Sequence, residues 1–382
     1  MGFAKPVHHR AFAAIGKKLH AAATKAAAEH LEQARQLTAA EAGSTNVAVM
    51  FDGTWQKRGH KSHNGVGTAI SLLTGLCLDF EVLSNYCLSC SRHKALEDEE
   101  EQIWQAFHTP VCEKNATCSA HAMETEAALR IWKRTDLYAT PLKYTTFLSD
   151  GDSKAYAAVA ELDIYGSVPV QKEDCTNHVA KRLGTALRKA KFPRGEKLKN
   201  KTIAKLQGYF QVAITSNRGN VRDMYCAVWA SYFHSCSRDG ASSHKFCPDG
   251  EMSWCKHKRA LALGQPAPVH TPILSVSQGK AVLPIYKRLT DEKLLQRCVK
   301  GQTQNAAESL NSKIWLLCPK TTFATRTVVE TATAIAVLWL NKGHTGFEEV
   351  LQALGILPSK ALLSLSKEVD KRRISSMSTK AT

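Results

Sequence analysis

Three acidic residues carry the first chemistry this sequence offers. Asp52 closes the apolar run Val47-Ala48-Val49-Met50-Phe51, Asp150 closes Phe147-Leu148-Ser149, and Glu308 sits near the start of an amphipathic segment. Two carboxylates at the ends of adjacent strands, joined by a third on a later helix, can hold two divalent cations roughly 4 Å apart. That arrangement cuts or transfers phosphodiesters. Mg²⁺ or Mn²⁺ suits such a set, because both take hard oxygen ligands. Each acid also has a plainer reading. Asp52-Gly53 can begin a turn, Asp152 competes with Asp150 on the same strand face, and Glu308 can complete a capping box with Asn305.

A second group of residues suits a softer metal. Cys87-x2-Cys90, then Cys112-x5-Cys118-x2-His121, places five soft ligands within 35 residues. A four-coordinate structural Zn²⁺ needs four, and Cys-x2-Cys is the usual half-site. The expected ligands are Cys87, Cys90 and Cys112, with His121 as the candidate fourth. His244, Cys247 and Cys255 form a second candidate Zn²⁺ site, with Cys236 and His257 within reach. Cys175-x2-His178 either joins one of these or orients a strand through hydrogen bonds. Cys77, Cys226, Cys298 and Cys318 stand in apolar runs and read as core. Cysteines beside histidines at short spacing suit zinc in a reducing compartment better than disulfides. The opening thirty residues lack the apolar core of a secretory leader. They are Ala-rich and poor in acids, which a mitochondrial transit peptide shares, but they read as an ordinary amphipathic helix.

Charge narrows the partner. The 382 residues hold 51 Lys plus Arg against 34 Asp plus Glu, a net charge of +17. An excess of this size favours a polyanion, double-stranded DNA first and an acidic membrane surface second. The longest apolar stretch, residues 331–340, is too short to span a bilayer, so no membrane partner is expected. Lys181, Arg182, Arg188, Lys189, Lys191, Arg194, Lys197, Lys199, Lys201 and Lys205 form a cationic stretch broken by one acid, Glu196. Contacts of that type give salt-sensitive, sequence-blind affinity for phosphates. Lys57 and Arg58, just after Asp52, are further candidate DNA contacts, and Trp55 and Trp315 are candidate stacking residues, with core packing the plainer role for Trp315. Lys371-Arg372-Arg373 and the DNA partner together set a nuclear location as the expectation.

The elements that must position these groups follow from periodicity. Residues 7–42 read as helix. Residues 47–51, 64–73 and 76–83 read as strands pairing antiparallel in order, with Thr74-Gly75 as a tight turn and Asp52 at the end of the first. A Cys-rich irregular segment (85–121) follows, then a helix over 122–134, a strand over 143–149, a helix over 154–162 and a short strand over 168–171 with Pro169 at its edge. The order β-β-β-α-β-α-β predicts an α/β, ribonuclease-H-like mixed sheet, three antiparallel strands followed by parallel additions. Residues 177–235 read as mostly helical, 262–288 as a loop or linker, and 305–317, 327–340 and 347–370 as helices. The domain plan is therefore an N-terminal helical segment (1–45), a first core part (46–176) with the Cys-rich insertion, a basic, mostly helical insertion with a Cys/His cluster (177–300), closing helices (301–357) and a basic, mobile tail (358–382).

Four blocks give the sequence a family likeness. Phe51-Asp52-Gly53-Thr54-Trp55-Gln56-Lys57-Arg58-Gly59 with Asn64-Gly65, Leu148 to Tyr156 around Asp150-Gly151-Asp152, Cys175 to Arg182, and Gln304 to Ser312 with Ile314-Trp315 and Cys318-Pro319-Lys320 stand in the order of the Mutator-like transposase domain. The chain resembles that domain over roughly residues 5–357. The resemblance implies a DDE transposase, a ribonuclease-H-like core with a helical insertion. It would cleave DNA at transposon ends with two metal ions, and the freed 3′ hydroxyl would then attack target DNA. By position, Asp52, Asp150 and Glu308 become the metal-binding acids, and Cys175 and His178 match a Cys-x2-His feature. A homo-oligomer is a further expectation. Such transposases usually carry more N-terminal sequence, so a truncated copy is expected. Two rival readings stay open, a relic that binds DNA without cutting and a zinc-dependent hydrolase.

Overall fold

The computed structural model describes residues 8–57, 62–151, 154–193, 197–237 and 244–381, with side chains up to Arg372. These fall into two units. One takes in the chain up to Phe147, a stretch ending at Gln171, and the chain from Asn305; the other takes in Lys172–Gln304 and the few residues after Phe147.

The first unit begins with α1 (His9–Ala42), which stops at Gly43, whose φ of 58° places it in the left-handed region. Ala22, Ala23, Ala26, Ala27, Leu31 and Ala34 recur at helical spacing and form its buried stripe. Strands β1 (Asn46–Trp55), β2 (Asn64–Ser71) and β3 (Cys77–Ser84) pair antiparallel, as expected. Gly75, at φ 70°, makes the tight turn between β2 and β3. Asp52 does not end its strand: β1 continues to Trp55, and Asp52 lies opposite Thr68 inside the ladder. The alternative reading of Asp52-Gly53 as the start of a turn falls, because Gly53 pairs with Gly67. Glycine is needed there for close packing, since a Cβ on Gly67 would sit 2.7 Å from Ala127 Cβ.

The segment expected to be irregular contains two helices, α2 (Leu88–Arg92) and α3 (Asp98–His108). The acidic run Asp98-Glu99-Glu100-Glu101 forms the first turn of α3, where negative charge is favoured by the helix dipole. The helix carrying Ala127 is α4 (Met123–Lys133), followed by β4 (Lys143–Ser149), α5 (Lys154–Glu161) and β5 (Gln171–Asp174). β5 starts where 168–171 was expected to end, so Pro169 precedes the ladder and removes no hydrogen bond from it. The five strands form one mixed sheet in the order β3-β2-β1-β4-β5. Phe51, Trp132 and Phe147 are fully buried on it, with Trp132 stacked 4.8 Å from Phe147 and edge-on 5.8 Å from Phe51.

The second unit is helical: α6 (Thr176–Lys189), α7 (Asn200–Thr215), α8 (Val221–Cys236), α9 (Lys256–Ala262), α10 (Val276–Leu289) and α11 (Glu292–Cys298). Leu183, Leu206, Phe210, Val228, Tyr286 and Leu295 share its core. The expected linker over 262–288 is in part α10, despite Gly279 and Pro284. Ser275 and Gln278 form a reciprocal capping box that starts it. Gly279 faces Cys236, where an added Cβ would lie 2.9 Å from the sulfur. Cys77, Cys298 and Cys318 are buried as expected, whereas Cys226 is exposed on α8.

The chain returns to the first unit with α12 (Asn305–Leu317), α13 (Arg326–Lys342), α14 (Gly346–Ala353) and α15 (Lys360–Ala381). The single helix expected over 347–370 is two, split at Gly355, whose φ is 73°, and at Pro358. The tail expected to be mobile is the end of α15.

Candidate active site and metal centres

Helix α12 is laid along strand β1 by two side-chain bonds. Asn311 Nδ2 donates to Asp52 Oδ2 at 2.7 Å, and Trp315 Nε1 donates to Thr54 Oγ1 at 2.8 Å. Four helical residues rise about 6 Å and two strand residues about 6.8 Å, so the two pairs stay in step. Glu308 stands one turn before Asn311, and i, i+3 positions share a helical face. Asp52 and Glu308 therefore belong to one face-to-face packing of β1 and α12. Ala307, Leu310 and Ile314 are buried, while Glu308 stays exposed at the helix start. Trp315 is thus a half-buried packing residue with a polar anchor, and Trp55 Nε1 is anchored likewise on Ala120 O at 2.8 Å.

Asp150 directly follows β4 and belongs to the second unit with its partners. His178 Nδ1 lies 3.3 Å from its carboxylate and Arg182 donates from 3.1 Å. Hydrogen bonding from His178 leads, burial opposes, and Arg182 adds to the pull; together they hold Asp150 well below the usual carboxylate range. Gly151 gives Arg182 its space, because a Cβ there would fall 1.5 Å from a guanidinium nitrogen. Cys175 is buried at the N-cap of α6, and its N–H donates to Ser149 O at 3.3 Å. So the Cys175-x2-His178 pair enters neither metal cluster; it ties α6 to the end of β4. Arg182 also lies 4.0 Å from fully buried Asp174, which Arg297 approaches to 3.1 Å. Arg182, one of the expected DNA contacts, is half-buried and shares its charge with both aspartates.

The other described cations of that stretch, Lys181, Arg188, Lys189, Lys191, Lys197, Lys199, Lys201 and Lys205, are exposed, as is Lys57. Arg58, Asp152 and Arg194 lie outside the described residues.

The first Cys/His cluster joins Cys87, Cys90, His108 and Cys112. His121, the expected fourth ligand, is not among them; the His108-x3-Cys112 spacing is the signal that would have found His108. Cys90 Sγ lies 3.6 Å from Cys112 Sγ and 3.0 Å from His108 Nε2, and Cys87 Sγ lies 3.6 Å from the same nitrogen. A tetrahedral Zn²⁺ with Zn–S about 2.3 Å and Zn–N about 2.05 Å spaces its ligands about 3.5–3.8 Å apart, so the set fits. Trp104 stacks between His93 (3.6 Å) and His108 (4.4 Å), and His93 pairs with Glu101 at 2.7 Å. This is the outer support that fixes a ligating imidazole. Burial works to raise the Cys87 thiol, but backbone N–H donors, chiefly that of Cys90, bring it down to about 7. Burial and the neighbouring sulfurs push Cys90 up to about 11.

The second cluster joins His234, His244, Cys247 and Cys255. Three were expected; His234, from the end of α8, replaces the candidates Cys236 and His257. Cys247 Sγ lies 3.5 Å from His234 Nδ1 and 4.0 Å from His244 Nδ1, and Cys255 Sγ lies 3.4 Å from the latter. Burial, then the nearby His270, His244 and Lys205, lowers His234 to about 4, which keeps it neutral as a ligand must be. His257 stacks on His244 at 4.3 Å instead of ligating. Both clusters could hold a metal such as zinc.

Comparison with protein families sets the chain among the transposases, a class that acts on DNA. Residues 7–255, well over half of the 382, match the Mutator-like transposase family, and the chain belongs to that family. The match includes Asp52, Asp150 and the ligands of both clusters, and ends before α12. Comparison with curated proteins and with solved structures returns no match. No helix among the described residues is long and apolar enough to cross a membrane.

Proposed function

We propose that this chain is the catalytic domain of a DDE-type transposase with a ribonuclease-H-like core, acting on double-stranded DNA in the nucleus. Asp52, Asp150 and Glu308 are its metal-binding acids. The observation that carries the reading is the Asn311–Asp52 bond, which fixes the helix bearing Glu308 on the strand bearing Asp52. The mixed five-stranded sheet, with three antiparallel strands leading it, supports the ribonuclease-H-like reading. All three acids are hard oxygen donors, the set that Mg²⁺ or Mn²⁺ takes. Bound there, a pair of such cations would supply an activated water and charge stabilisation for phosphodiester cleavage.

The chain's own contribution is positional. Asn311 donates to Asp52 and fixes the plane of its carboxylate. His178 and Arg182 keep Asp150 ionised, so no proton has to leave before a cation binds. The exposed lysines and arginines of α6 and α7 hold the DNA backbone. Each of the two Cys/His clusters offers four soft ligands and would hold a structural Zn²⁺ that fastens the segments carrying them.

The test is Mg²⁺- or Mn²⁺-dependent nicking of transposon-end duplexes by the purified chain. Asp52→Ala, Asp150→Ala and Glu308→Ala should each lower cleavage by at least about 100-fold with DNA binding retained, and Asn311→Ala by about tenfold, as outer-shell partners do. Salt-sensitive binding without cleavage by the parent would replace this reading with that of a non-cutting relic. Cleavage that survives loss of all three acids would place the site elsewhere.

A further inference from the structure

The second unit contains a cavity of about 860 Å³ for which the cleavage chemistry has no use. Pockets of about 300–1,000 Å³ are the size that buries small organic ligands. Tyr209, Phe246 and Trp254 line it, together with Lys205 and Lys256. Asp223 is the one acid on its wall. Phe246 and Trp254 are 53% and 48% exposed, which is water-facing aromatic surface that core packing does not require.

The rings are held where they stand. Trp254 packs edge-on against His234, centroids 5.1 Å apart, and Phe246 stacks at 4.7 Å on Phe233. Trp254 and Phe246 each immediately precede a cysteine of the second Cys/His cluster, so the metal-ligand segment forms one wall. The opposite wall continues the cationic stretch. Lys201, Lys205 and Tyr209 follow at i, i+4 along α7, and Lys205 Nζ lies 5.7 Å from the Tyr209 ring. A line of exposed cations thus runs into an aromatic cavity.

That combination recognises unstacked nucleotides. Every base presents a π-face to an aromatic ring, and each brings a phosphate for an ammonium. We infer that the cavity receives unpaired bases of a single DNA strand, stacked on Trp254, Phe246 or Tyr209, with phosphates at Lys205 and Lys256. The inference rests on the DNA-processing reading above. A paired duplex keeps its bases stacked inside, so the occupant is a frayed end or a displaced strand.

The probes are a fluorescent dT 12-mer and a blunt duplex, followed by anisotropy at fixed salt with the full chain. Trp254→Ala should weaken dT 12-mer binding roughly tenfold, as loss of one stacking ring does. Trp254→Phe should restore most of it, and duplex affinity should fall by less than about twofold. Tyr209→Ala, on α7 and away from the cysteines, should repeat the effect where zinc content shows Trp254→Ala to be misfolded. Unchanged dT 12-mer binding in both alanine variants, or an equal loss for both DNAs, would overturn the inference while leaving metal-dependent nicking as a separate result. Failure of the parent to bind either DNA would overturn both.

Discussion

The two Cys/His clusters are similar as ligand sets, three cysteines and a histidine against two of each, yet they stabilise different things. Helices α2 and α3, which flank the first cluster, contain no buried residue at all. The second cluster leans on a helical core that includes Phe210, Val228 and Tyr286. A helix of eleven residues is marginal alone in water, so in the first region a metal, once bound, would take the place of a core. In the second it would fasten a loop to a fold that apolar burial already supports. Equal coordination chemistry therefore implies unequal structural dependence.

The largest expected effect is in the first region. Cys90→Ser should remove one zinc equivalent and release amide protection across Leu88–Arg92 and Asp98–His108 by about 100-fold or more, read by hydrogen exchange with mass spectrometry. Retained protection would show that something other than a metal holds those helices, and the contrast would collapse.

Cys255→Ser should remove the other zinc equivalent with far less consequence. Helicity should change little, and the melting temperature should fall roughly 5–10 °C, or about 2–3 kcal/mol. Wholesale loss of helical signal would mean that the second unit also depends on its metal.

The metal-free second unit should also respond to acid. His234 titrates near 4 when folded because burial and neighbouring positive groups oppose its charging; its ordinary value is about 6.5. The unfolded chain therefore takes up the proton first. This contribution is complete above about pH 6.5 and is lost as pH falls towards 4. The urea midpoint of the chelated protein should drop over that window, and His234→Gln should flatten the drop. The smallest effect, about 1 kcal/mol, belongs to Ser275→Ala, which removes one side of the capping box of α10. Denaturant unfolding should register it in the second unit with both zinc equivalents in place.

Local pattern made much of the fold readable. The short apolar, β-branched runs of 46–84, the helical stripes of 9–42 and 305–317, and the strand at 143–149 depend on neighbours in sequence, and they stand close to where those patterns put them. Departures came where tertiary packing decided. Gly53 continues a strand because α4 presses on Gly67, and Pro284 sits inside α10 because a capping box and a shared core outweigh one missing N–H. The metal clusters were half readable. Cysteine pairs announce themselves by spacing, and His108-x3-Cys112 does so too, but His234 reaches its cluster through the fold, from the end of α8. The role of Asn311 was hidden although its block was conspicuous, since nothing local says which side chain meets Asp52. The pairing of Arg182 with Asp150 and Asp174 was hidden too, because composition shows a cation but not which acids the fold brings to it.

The seating of α12 on β1 behaves like a vernier scale. A helix and a strand advance by different amounts per residue, so their graduations coincide at only a few marks, here Asn311 on Asp52 and Trp315 on Thr54. One residue inserted between Glu308 and Asn311 would turn Glu308 about 100° around the helix axis while leaving both marks aligned. Helical content and hydrophobic burial would hardly change, and the acid would point away from β1. With Glu308 in the proposed metal-binding role, a length change would be more damaging than most substitutions, because the scale stays readable and gives the wrong value.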